Sequence, residues 1–88
     1  NIPRSIPEGL CAKIDKASVK VLPIFDLIAK TGGISERDMF NTFNMGVGMS
    51  IVVPAAEAEK ALQILTEAGE APYIIGEIIE GENKIELV

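Results

Sequence analysis

The sequence predicts an α+β domain built on a mixed sheet, and three observations carry that expectation. Apolar residues alternate with polar ones at Cys11-Ala12-Lys13-Ile14-Asp15 and again at Lys84-Ile85-Glu86-Leu87-Val88, the period of a strand with one buried face. Two stretches, one from Pro23 to Lys30 and one over about residues 55–68, repeat apolar residues at helical spacing. Segments 48–53, 55–68 and 73–80 are spaced like a strand–helix–strand crossover, which is right-handed when its strands share a sheet. The expected order is β-α-α-β-α-β-β, with helices packed on one face of the sheet and a partial ferredoxin-like topology.

Each element has a local reason. Residues 1–10 contain Pro3, Pro7 and Gly9, so they read as an irregular or extended lead-in. Residues 11–15 follow as a strand, and 16–22 connect it onward. Pro23 suits the first position of a helix, where its missing N–H goes unused. Ile24, Phe25, Leu27, Ile28 and Ala29 then recur at helical spacing, with Asp26 and Lys30 paired outside. Gly32-Gly33 stops that helix, because glycine accepts the left-handed cap without a Cβ clash. Ser35 caps the next helix, over roughly residues 36–42, and Glu36 and Asp38 favour its positive end. Met39, Phe40 and Phe43 are its packing residues. Met49, Ile51 and Val53 alternate with Ser50 and Val52 as a strand.

Pro54 opens the next helix, whose inner face is Ala58, Ala61, Leu62, Leu65 and Ala68. Glu57, Lys60, Gln63 and Glu67 lie outside, and Gly69 caps it. Residues 73–80 form a strand that contains Gly76. A turn at Gly81-Glu82-Asn83 joins it to a last strand at 84–88 as a hairpin.

Composition bounds the function. Eighty-eight residues make one domain or part of one, burying roughly 60–68% of the unfolded surface. The chain begins at Asn1 as though in the middle of something, so an upstream part is expected. A net charge of −5 argues against nucleic acid and against an anionic membrane surface. No apolar run approaches the ~20 residues of a membrane span. Residues 1–20 nevertheless carry a net +2 against −7 for the rest, which reads either as an unevenly charged solvated surface or as an N-terminal edge that favours an anionic ligand. Cys11 is the only cysteine and histidine is absent. Internal disulfides, Cys–His and Ser–His–Asp systems are thereby excluded, and so are zinc sites of usual composition. A reducing cytoplasm fits.

The richest stretch is Met39-Phe40-Asn41-Thr42-Phe43-Asn44-Met45-Gly46-Val47-Gly48-Met49. Gly46-x-Gly48 is not a dinucleotide fingerprint, since a helix precedes it and a strand follows it. The glycines serve either a bulge into the strand or a close backbone approach to a neighbour. Asn44 either bonds its own turn or reads a ligand. Thr42 either ends its helix or faces a ligand. Arg4, between Pro3 and Ser5, either clamps a phosphate or pairs structurally. Glu36/Asp38 and Glu57/Glu59 stand two apart on helices, on different faces, and are read as solvated rather than metal-binding.

Asn1-Ile2-Pro3-Arg4 with Pro7, Pro23-Ile24-Phe25, Met39 to Met49, Gly69-Glu70-Ala71 and Ile75-Gly76-Glu77-Ile78 together resemble one family. It is the aminoimidazole ribonucleotide synthetase family, the phosphoribosylformylglycinamidine cyclo-ligases. The resemblance is to the end of their C-terminal domain and covers essentially the whole chain. Met45, where the family often has Cys, and Val19, where it often has an aromatic, depart from the pattern.

The resemblance implies ATP-dependent closure of the imidazole ring of formylglycinamidine ribonucleotide in purine biosynthesis. The formyl amide oxygen is phosphorylated, then an amidine nitrogen attacks and expels phosphate. It also implies a cytoplasmic homodimer whose ATP and Mg bind mainly in an N-terminal domain absent from these residues. Asn1, Arg4, Thr42, Asn44, Gly46 and Gly48 are then expected to bind substrate or line the cleft, with no catalytic residue and no metal ligand among the 88. Two rivals stand beside this reading. One is a related ATP-using enzyme of the formylglycinamidine ribonucleotide amidotransferase, selenophosphate synthetase or hydrogenase maturation type. The other is a non-enzymatic ferredoxin-like binding module.

Overall fold

Strand β1, Leu10–Ile14, lies at the centre of the sheet, because it is the segment whose side chains are most deeply buried. The computed structural model describes all residues from Asn1 to Val88. β1 is followed by helices α1 (Pro23–Gly32), α2 (Glu36–Thr42) and α3 (Ala58–Glu67), then strands β2 (Gly76–Glu80) and β3 (Ile85–Leu87). The sheet order is β2-β1-β3. β2 runs antiparallel to β1, with Leu10 opposite Glu80 and Ile14 opposite Gly76. β3 runs parallel to β1, with Ala12 opposite Ile85 and Ile14 opposite Leu87. The expected α+β class with a mixed sheet is therefore present.

Two expected strand pairings are not made. The segments 73–80 and 84–88 do not form a hairpin, because β1 sits between β2 and β3. The chain rounds the start of β1 instead: the Gly81 N–H donates to the Gly9 carbonyl at 3.1 Å and the Ala12 N–H to the Lys84 carbonyl at 3.0 Å. A hairpin would leave β1 with an open edge. The central place satisfies its backbone on both sides and buries Cys11, Ala12 and Ile14.

The second missing strand is 48–53. None of the backbone amides or carbonyls from Gly48 to Val53 takes part in a backbone hydrogen bond, and the segment belongs to no sheet. The strand–helix–strand crossover is consequently absent. Its residues have strand propensity, but nothing among the 88 lies alongside to complete a ladder.

Helix signals were obeyed closely. Pro23 starts α1, and Gly33 ends it at φ 61°. Ser35 Oγ accepts the Asp38 N–H at 3.3 Å at the start of α2. Ala55–Glu57 begin as a 3₁₀ turn before α3 proper. Phe25 of α1 and Phe43 after α2 meet with ring centroids 5.7 Å apart.

The sheet's core comprises Ile6, Ala12 and Ile14, with Ile2, Leu10, Val19, Ile75, Ile78, Ile85 and Leu87 against them. No residue of α1, α2 or α3 belongs to that cluster, so the N-terminal turn and Val19 cover this face where helices were expected. Burial is thin elsewhere, and only six residues are buried in all. At 9.4 kDa a folded monomer exposes roughly 5,000 Å², whereas this chain exposes 6719 Å². Its radius of gyration is 14.2 Å, against roughly 12 Å for a compact chain of this length.

Candidate functional site

The corner after α2 is built by its own sequence. The Phe43 N–H closes the helix on the Met39 carbonyl at 2.9 Å. The Phe43 ring, set against Phe25, then anchors the exit to α1. The chain reverses over Asn44–Val47, where the Val47 N–H donates to the Asn44 carbonyl at 3.0 Å. Both central residues have positive φ, Met45 at 57° and Gly46 at 108°, a pair of signs shared with type I′ turns. Asn44 Oδ1 accepts the Gly46 N–H at 2.8 Å and holds the reversal from inside.

Met45 is the residue that sequence reasoning missed. A non-glycine at positive φ costs about 1–2 kcal/mol. Met45 is also buried, and burying such a side chain contributes about 1.5–3 kcal/mol, so packing outweighs the strain. Its place in the turn explains why a methionine is accommodated there. The only advance signal was its apolar character among polar turn residues.

The two glycines separate in role. A Cβ on Gly46 would lie 3.0 Å from the Lys20 carbonyl oxygen and 3.1 Å from Leu22 Cγ, so the bare backbone is needed for residues 20–22 to pass. Gly48 has no neighbour within 4 Å and no positive φ. Nothing inside this chain demands glycine at 48. The segment beside Gly46 also brings Lys20 to the corner. Its N–H donates to the Tyr73 hydroxyl at 3.2 Å, and its Nζ stands 4.8 Å above that ring.

Of the expected site residues, the structure joins Asn44 to Gly46 by a hydrogen bond, and Thr42 and Gly48 flank them along the chain. Thr42 ends α2 and is exposed, as are Asn44 and Gly48; Gly46 is half-buried. Asn1 and Arg4 are placed elsewhere, in a 3₁₀ turn where the Arg4 N–H donates to the Asn1 carbonyl at 3.1 Å. No hydrogen bond or ion pair connects them to residues 42–48. The Arg4 side chain is exposed and makes no salt bridge; the one ion pair is Lys16–Glu36 at 2.8 Å. Asn44 Oδ1 is thus used within its own turn, while its amide NH2 makes no hydrogen bond inside the chain, and Gly46 is required by the passage of residues 20–22. Thr42 occupies the helix end, and the side chains of Thr42 and Arg4 make no hydrogen bond or ion pair inside the chain.

The corner is open to solvent, offers unpaired backbone amides from Gly48 onward and has a lysine beside it. Such a surface suits an anionic or amide-bearing ligand. It lacks a paired nucleophile and base. No three acidic or other ligating side chains converge anywhere on the chain, so these residues form no self-contained cage for a metal ion. Cys11 is fully buried in β1, and burial, with Glu86 adding, pushes its thiol above the ordinary value of 9.0. That is the setting of an inert thiol. No helix is long and apolar enough to cross a membrane.

Comparison with known proteins agrees along the whole length. Residues 1–88 match the family described as AIR synthase related protein, C-terminal domain. A phosphoribosylformylglycinamidine cyclo-ligase of Caldanaerobacter subterraneus is 48% identical over 85 residues, 97% of this chain and 25% of the relative. One from Lachnoclostridium phytofermentans is 49% identical over the same shares. One from Agathobacter rectalis is 42% identical over 88 residues, all of this chain and 26% of the relative. The chain spans about a quarter of the length of the curated relatives it matches. On a family match from the first residue to the last, the chain belongs to the AIR synthase related protein family, which it matches in the C-terminal domain.

Proposed function

We propose that this chain is the later part of the C-terminal domain of a phosphoribosylformylglycinamidine cyclo-ligase, and that it supplies a wall of the cleft in which the imidazole ring is closed. The observation that carries the reading is identity of 42–49% to proteins of that name along 97–100% of the chain. An open polar corner with a glycine unexplained by internal packing supports it. On this reading Gly48 allows close approach of substrate, Thr42 and Asn44 face it, and Arg4 meets phosphate once the remaining polypeptide is present. On the same reading ATP and magnesium are bound mainly by that other polypeptide. The assembled enzyme is a cytoplasmic homodimer of the purine pathway, and the 88 residues alone do not turn over.

The test is a chimaera in which this chain replaces the matching quarter of the Caldanaerobacter relative. ATP-dependent formation of aminoimidazole ribonucleotide is expected from the chimaera, and none from the 88-residue chain. A folded chimaera that binds ATP but never closes the ring would overturn the reading. So would turnover by the isolated chain.

A further inference from the structure

Tyr73 lies outside every helix and strand, between α3 and β2, and still makes two contacts with one distant residue. Its hydroxyl accepts the Lys20 N–H at 3.2 Å, and the Lys20 Nζ stands 4.8 Å above its ring. The two residues are 53 positions apart along the chain. One aromatic side chain thus holds both ends of Lys20, the backbone amide by a hydrogen bond and the ammonium by a cation–π contact. Tyr73 is the half-buried member of the pair and Lys20 the exposed one, so the tyrosine is the fixed point.

Each partner is tied to something further. On the tyrosine side, the Ile75 carbonyl accepts the Asp15 N–H at 2.8 Å, directly beyond the Ile14–Gly76 pair that ends the β1–β2 ladder. Tyr73 is therefore two residues from a fixed point on the sheet. On the lysine side, the Lys20 carbonyl oxygen and Leu22 are what crowd Gly46, at 3.0 and 3.1 Å from where a Cβ would sit. Residues 20–22 belong to no helix or strand, and their own backbone bond is a tight turn from the Val21 N–H to the Val19 carbonyl at 3.0 Å. A segment held so lightly opens at little cost unless a side chain pins it. The sheet thus reaches the glycine corner through Tyr73 and Lys20. These contacts are internal to the 88 residues and hold whatever polypeptide surrounds them.

We propose that Tyr73 is the positioning residue of the glycine corner: it pins Lys20–Leu22 against Gly46, and so sets where Asn44 and Gly48 stand toward a bound substrate. The identity of that substrate rests on the cyclo-ligase reading; the clamp itself does not. Tyr73 acts through Lys20 and the turn, and it serves the substrate that Asn44 and Gly48 face rather than ATP.

The experiment uses the chimaera with the Caldanaerobacter relative. Tyr73→Phe removes one hydroxyl and keeps the ring beneath Lys20. Amide exchange followed by mass spectrometry reads the clamp without turnover. Peptides covering 20–22 and 44–48 should exchange about three- to tenfold faster, the worth of one net hydrogen bond, while those covering 76–87 stay unchanged. In turnover, KM for formylglycinamidine ribonucleotide should rise by a similar factor while KM for ATP holds. With Gly48→Ala added, the combined loss should be smaller than the product of the two single losses, because both act on one corner. Ile78→Val, in the sheet core, supplies a general loss of stability and should change neither KM. Unchanged exchange at 44–48 would overturn the proposal. So would the two KM values moving together, or Tyr73→Phe and Gly48→Ala combining independently. A folded chimaera that shows the exchange pattern but closes no ring would sink the cyclo-ligase reading and support the clamp.

Discussion

At the scale of single residues, the two glycines of the corner make opposite predictions. Gly46→Ala combines positive φ with contacts at 3.0 and 3.1 Å, one of them to backbone, and should cost about 1–3 kcal/mol in urea unfolding. Gly48→Ala meets nothing and should change stability by less than about 0.5 kcal/mol. In the active chimaera the order reverses, with Gly48→Ala the variant expected to lower kcat/KM while the fold holds. The buried thiol makes a prediction about pH. Cys11 keeps its proton in the folded state to higher pH than it does unfolded, so the unfolded chain binds fewer protons once pH passes the ordinary value of 9.0. Stability should be insensitive to this thiol below that pH and should fall above it. A Cys11→Ala comparison of urea midpoints from neutral to alkaline pH measures the effect. Sequence alone placed Asn44 and Gly46 in a turn, but it left their duties open, because a local hydrogen bond and a ligand contact call on the same amide.

At the scale of elements, what was legible depended on how local the cause is. The bounds of α1 and α2 follow from Pro23, Gly33 and Ser35, which act within one turn, and the sequence announced all three. Strand pairing is a choice among distant partners, and alternation does not say which strand lies beside which. Residues 84–88 were legible as a strand but not as the parallel neighbour of β1. One glycine marks that pairing. A Cβ on Gly76 would press into the Lys13 backbone carbonyl at the β1–β2 seam. Gly76→Ala should therefore shift β2 and cost several kcal/mol, more than an ordinary glycine replacement in a strand, with the loss read as a lower thermal midpoint. Removing residues 85–88 should expose one side of β1 and abolish a cooperative transition, since the Val88 N–H to Ile14 carbonyl bond at 2.9 Å and the rest of that ladder go with it.

At the scale of the whole molecule, the thin core governs behaviour. Six buried residues and a surface well above that of a compact chain leave apolar side chains such as Leu22, Ile24 and Leu27 in water. The chain in native buffer should consequently bind an apolar dye such as ANS, and the fluorescence should drop when the same residues sit within the chimaera. Composition could not reveal this, because 48% hydrophobic residues is ordinary whether or not a second surface covers them. The central position of β1 has one further consequence, in the order of events during synthesis. Leu10–Ile14 leaves the ribosome well before its neighbours in the sheet, Gly76–Glu80 and Ile85–Leu87. At roughly 5–20 residues per second, that apolar strand waits on the order of ten seconds without a companion. Nascent chains should therefore depend on a chaperone that shields Leu10–Ile14 until Ile85–Leu87 have emerged.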